Sequence, residues 1–126
     1  MLDYAKLNNW NIDPSEQKHN FILHQKISAI IARERYNITD NNILSAIECH
    51  STLKANASEH DMLLFLADKI SWDAERFPPF LNILEKALDI SLSHASLAYI
   101  NFSLKNGIIL SPHKNLIDAK KWLETI

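Results

Sequence analysis

Apolar residues recur along this chain at three- and four-residue intervals, and helix-breaking residues are scarce: one glycine, Gly107, and prolines only at positions 14, 78, 79 and 112. That spacing predicts helices throughout, separated at those residues. A short first helix is expected near Leu2 to Asn9, then a turn at Asp13-Pro14-Ser15 and a longer helix from about Asn20 to Arg35. The longer helix presents Leu23, Ile27, Ile30 and Ile31 as its apolar stripe, with Lys26, Arg33, Glu34 and Arg35 mostly off it. Thr39 or Asp40 caps the next helix, in which Ile43, Ala46, Ile47 and His50 follow the i, i+3, i+4, i+7 rule, so His50 ends an inward-facing stripe. Ser58 and Asp61 have the spacing of a capping box, opening a helix that continues to about Asp73, and Pro78-Pro79 closes that unit. One long amphipathic helix, or two with a bend, spans Phe80 to Asn106, with Gly107 as its C-terminal stop. A last helix follows Ser111-Pro112 and buries Leu116, Ala119, Trp122 and Leu123. The expected class is all-α, with residues 1–126 forming one helical domain.

Composition supports a folded chain: 47% of residues are hydrophobic and 22% charged, outside the range of disordered or membrane-embedded sequences. A formal net charge of −2 offers no general attraction to nucleic acid or to anionic lipid, so a polyanionic ligand would need a local device such as a metal ion. The start, MLDYAKLNNW, lacks a basic segment followed by an apolar one, and no later apolar run approaches a membrane span. A cytoplasmic protein with no nucleic-acid or membrane partner is therefore expected. A single cysteine, Cys49, excludes an intrachain disulfide and any CxxC motif, and is expected to fill space as a small apolar residue.

Candidate chemistry concentrates in three segments. The run Met62-Leu63-Leu64-Phe65-Leu66-Ala67-Asp68 ends a strongly apolar stretch on a carboxylate. If Asp68 is drawn inside it needs a cation, a helix N-terminus, hydrogen-bond donors or a metal; if it stays at the rim, water suffices. His24 and His50 lie beside apolar stripes on different predicted helices, and neither has an acidic neighbour at i+4. A lone histidine in such a place is more often a hydrogen-bonded core residue than a ligand. Two imidazoles and a carboxylate brought together, however, form a donor set for iron, manganese or zinc.

In order and spacing, Ile22-Leu23-His24-Gln25-Lys26, the stretch from Ile43 through Ser45-Ala46-Ile47-Glu48-Cys49-His50 to Leu53, and Phe65-Leu66-Ala67-Asp68-Lys69-Ile70-Ser71-Trp72-Asp73 resemble the C-terminal part of the YqeK family. That resemblance implies an HD-domain-like helical bundle and a two-metal centre, usually di-iron, that splits diadenosine tetraphosphate symmetrically into two ADP through attack of a metal-activated water on phosphorus. By resemblance His24, His50 and Asp68 match the third histidine, the fourth histidine and the final aspartate of the ligand set. The family's first histidine and its His-Asp pair belong to helices that would precede Met1, so a bundle truncated at its N-terminus, with an incomplete metal centre in one chain, is expected. His60-Asp61 does not replace that pair, because it follows His24 and is read as a helix start.

Weaker candidates surround these segments. Trp72, at i+4 from Asp68, either stacks on a nucleobase or packs in the core, and Lys69, about 100° around the helix, either meets a phosphate or is solvated. Thr52, Lys54 and Asp73 are also near the matched segments, whereas His19, His94 and His113 gain no role. Three functions stay open: a nucleotide-polyphosphate hydrolase, a catalytically incomplete nucleotide- or metal-binding remnant, and a helical interaction domain. Apolar surface left where the absent helices would pack predicts self-association as a homo-oligomer.

Overall fold

Local capping chemistry sets most of the helix starts. In the computed structural model, which describes residues 1–71 and 76–126, Asp13 opens helix α2 (Pro14–Lys18) with a capping box closed by Glu16, and α1 covers Leu2–Leu7. A 3-10 turn over Asn20–Leu23 leads directly into α3 (His24–Tyr36), which ends on Asn37 in the left-handed conformation at φ 56°. Asp40 caps α4 (Asn41–Glu48), and Ser58 with Asp61 forms the reciprocal box that starts α5 (Glu59–Ile70). Helix α6 (Leu81–Leu88) follows the two prolines, Ser91 caps α7 (Leu92–Lys105), and His113 caps α8 (Lys114–Leu123) by accepting the Asn115 N–H. Gly107, at φ 71°, turns the chain after α7 where a side chain would be strained. Among the described residues every element is helical, and no helix is long and apolar enough to cross a membrane.

Helix α5 packs against both α4 and α7, and α7 also packs on α6 and α8. The main core lies at this C-terminal end, where Phe65 and Phe80 set their rings edge-on to Tyr99 at centroid distances of 5.4 and 5.0 Å. Leu116, Ala119 and Leu123 complete it from α8, with Trp122 partly buried beside them. Burying such large side chains stabilises the fold by about 1.5–3 kcal/mol each.

Four sequence expectations are corrected. The Asp13 turn winds into a full helical turn because both halves of its capping box form. Of the predicted stripe, Leu23 is fully buried and Ile27 and Ile30 are half-buried, but Ile31 is 40% exposed, and the buried residues of α3, which packs on α4, are Gln25, Ala29 and Ala32. Helix α4 stops at Glu48, so His50 stands in the turn that follows, closed by the Leu53 N–H on the Cys49 carbonyl at 2.7 Å. Helix α5 ends at Ile70, and Trp72 and Asp73 lie outside the described residues. Of the two alternatives for residues 80–106, two helices form, because the extended, capping Ser91 restarts the helix.

A buried carboxylate links the N-terminal helices to the start of α8. Glu16 is fully buried; one oxygen accepts the Asp13 N–H at 2.8 Å, and the other lies 3.5 Å from His113 Nε2 and 3.6 Å from Lys26 Nζ. Those last contacts are within ion-pair range but lack hydrogen-bond alignment. His113 Nδ1 already accepts the Asn115 N–H, so the ring proton sits on Nε2, facing Glu16.

Candidate metal and substrate site

Helix ends supply the carbonyls that orient the two predicted histidines. His24 opens α3, and its Nδ1 lies 2.6 Å from the Phe21 carbonyl in the preceding 3-10 turn. His50 Nδ1 lies 2.5 Å from the Ile47 carbonyl in the last turn of α4. A carbonyl oxygen only accepts, so each Nδ1 carries a hydrogen. In the neutral rings both Nε2 atoms are then lone-pair acceptors, yet they face each other at 2.8 Å. Two lone pairs hold that distance only with a cation between them, either a shared proton or a metal ion. Two imidazole nitrogens bonded at right angles to one metal, at about 2.0–2.1 Å each, stand about 2.9 Å apart, so the pair fits adjacent ligand positions. Ser51 Oγ lies 3.4 Å from the same His24 nitrogen.

Asp68 is placed differently. It sits in the last turn of α5 with its side chain 44% exposed, and its Oδ2 accepts a hydrogen bond from Lys69 at 2.9 Å. Asp68 and His24 line one cavity of about 450 Å³, but Asp68 does not close a ligand cluster. Among the described residues no group of three or more His, Cys, Asp or Glu side chains stands close enough to hold a metal ion. Two of the three predicted ligands meet, and the third lines a cavity with one of them, His24.

The remaining candidates have specific partners. Lys69 is not solvated: its side chain is 12% exposed, and its ammonium donates to Asp68, to the His50 carbonyl at 3.2 Å and to the Ser51 carbonyl at 3.3 Å. Burial lowers its pKa, an effect that Asp68 opposes. It also lies over the Phe65 and Tyr99 rings at 4.8 and 5.9 Å. Thr52 is buried, with its hydroxyl accepting from Gln25 Nε2 at 3.2 Å and donating to the Leu53 carbonyl at 2.8 Å. Lys54 points elsewhere, donating to Ser45 Oγ at 2.5 Å beside the capping Asp61. Cys49 is buried, and burial pushes its thiol up to about 12, as suits a space-filling residue. His94 pairs with Ser91 on an exposed helix start.

Several lining residues carried no sequence signal. Tyr99, whose hydroxyl burial shifts upward in pKa, borders the cavity with His19, Phe21 and His113, and an apolar wall comes from Ile108, Ile109, Leu110 and Leu116. Gln25 lies off the apolar stripe that periodicity marks, and its place immediately after His24 is the one signal that could have drawn notice to it.

A crystal structure described as a predicted HD superfamily hydrolase involved in NAD metabolism, from Clostridium acetobutylicum, superposes with a TM-score of 0.82 at 25% identity, over 98% of this chain and 66% of that one. The fold is that of the HD domain. An uncharacterized protein in the pepC 5' region of Lactococcus lactis subsp. cremoris is 46% identical over 123 residues, which is 98% of this chain and 63% of that protein. No protein-family model matches the sequence. The HD-domain chain thus spans slightly under two thirds of the length of each relative.

Proposed function

We propose that this chain is the metal- and substrate-binding part of an HD-type phosphohydrolase, with His24, His50 and Asp68 as metal ligands. The observation that carries the reading is the His24–His50 contact: two Nε2 lone pairs at 2.8 Å, each ring fixed by a backbone carbonyl on its other nitrogen. Iron is the metal the YqeK resemblance favours, with manganese or zinc as the alternatives. A bound metal supplies charge to a phosphoryl oxygen and acidifies water. The chain's own part is to present the facing Nε2 atoms of two imidazoles and, from Asp68, the oxygen not committed to Lys69. Diadenosine tetraphosphate, cleaved to two ADP, is the substrate that the YqeK resemblance implies, and an apolar wall beside a polar floor suits a ligand with both a planar apolar portion and phosphates.

The test is metal content and ADP release from diadenosine tetraphosphate by purified chain supplied with iron(II), manganese(II) or zinc(II). His50→Ala and Asp68→Ala are expected to lower bound metal, and His94→Ala to leave it unchanged; equal metal in all three variants contradicts the assignment. A second reading, a module that binds metal or nucleotide without turnover, draws support from the lack of a three-ligand cluster among the described residues. Stoichiometric metal uptake with no ADP release would select it.

A further inference from the structure

The residues next in sequence to two of the proposed ligands both reach the turn that carries the third. Gln25, which follows His24, is fully buried; its Oε1 accepts the Ser51 N–H at 3.0 Å and its Nε2 donates to Thr52 Oγ1 at 3.2 Å. Lys69, which follows Asp68, donates to the carbonyls of His50 and Ser51 from the other side. Residues 50–52 are thus held from α3 by an amide and from α5 by an ammonium.

The donors of Lys69 are fully used within the chain. An ammonium has three N–H donors, and here three acceptors surround it: two carbonyls after the end of α4 and one oxygen of Asp68. None is left for a substrate phosphate. An ammonium buried over two aromatic rings is costly to desolvate, and bonds to a carboxylate and two helix-end carbonyls offset that cost. Gln25 likewise interrupts the buried face of α3, where its neighbours along the face are Ala29 and Ala32. An amide at such a position is stable only with its partners in place.

We propose that Gln25 and Lys69 are positioning residues, a two-sided clamp on the His50–Thr52 turn that sets His50 Nε2 against His24 Nε2 and fixes the Asp68 carboxylate. The inference rests on His24, His50 and Asp68 forming the cation site, but the clamp is observable without a metal. Groups that orient metal ligands in this way typically change affinity by about 10–100-fold when removed.

Two measurements on the whole chain separate the possibilities. Long-range 1H–15N spectra of the imidazoles, recorded without metal, are expected to show a hydrogen on Nδ1 of both His24 and His50 in the native chain and to show the His50 signals displaced or averaged in Lys69→Met and Gln25→Met. Titration with cobalt(II) is expected to give a roughly 10–100-fold weaker dissociation constant and an altered visible spectrum in both variants, with Lys54→Met as an unaffected control. Unchanged His50 signals in folded Lys69→Met and Gln25→Met overturn the clamp. So does native cobalt affinity in both when His50→Ala has lost it. If the native chain takes up no cobalt, the metal reading fails while the imidazole spectra still decide the clamp. Should either Met variant lose its fold, Thr52→Val removes one bond of the clamp at nearly constant volume, and an unmoved His50 ring there also overturns it.

Discussion

The helices from α5 to α8 share a core of large side chains, Phe65, Phe80, Leu84, Tyr99 and Ile100, whereas the buried positions of α3 and α4 are small or polar: Ala29, Ala32, Ala46 and Gln25. One half gains its stability from area removed from water and tolerates imprecise polar geometry. The other brings backbones close and relies on directional bonds: Gln25 to residues 51 and 52, and Glu16 to Asp13 with His113 and Lys26 nearby. The candidate site lies at the seam. His24 and His50 come from the polar half, where backbone carbonyls orient the rings, and Asp68 and Lys69 come from the apolar half, on α5.

The largest effect should come from the apolar half. Phe65→Ala removes a fully buried ring and is expected to destabilise the chain by roughly 3–5 kcal/mol, read by denaturant unfolding. A loss below about 1 kcal/mol would mean that the aromatic cluster does not carry this half. Ala29→Leu tests the opposite property, since overpacking a close helix contact should cost roughly 1–3 kcal/mol and displace the His24 ring; an unchanged midpoint would show that α3 and α4 are not tightly apposed. Smallest is a change in reactivity alone. With its thiol held up to about 12, Cys49 keeps its proton as pH rises through the ordinary thiol range, so the native chain should resist alkylation near pH 9 and react once unfolded. Rapid labelling of native chain would contradict its burial between α4 and α5.

Local chemistry was legible in the sequence wherever the partner lies within a few residues. The Ser58–Asp61 box, the cap at Asp40, the stop at Gly107 and the α8 stripe all depend on spacing of that kind. The buried face of α3 was only partly so: of the stripe Leu23, Ile27, Ile30 and Ile31 only Leu23 is fully buried, and the buried positions of the helix are Gln25 and two alanines, which carry no strong apolar signal. Gln25, and the bonds of the candidate Lys69 to the 50–51 turn, escaped for a related reason: those partners lie 18 to 27 residues away in the chain, and no helical period encodes such a pairing. The proximity of His24 and His50 came from resemblance, and the bonds that fix their tautomers only from the coordinates.

Anomalous scattering from crystals of the chain soaked in manganese(II) or cobalt(II) decides whether the imidazole pair holds a cation. A peak bonded to Nε2 of both His24 and His50 is expected, with Asp68 turned toward the same ion. Metal bound elsewhere with the imidazole pair empty, or rings rotated so that their Nε2 atoms no longer face each other, would contradict it.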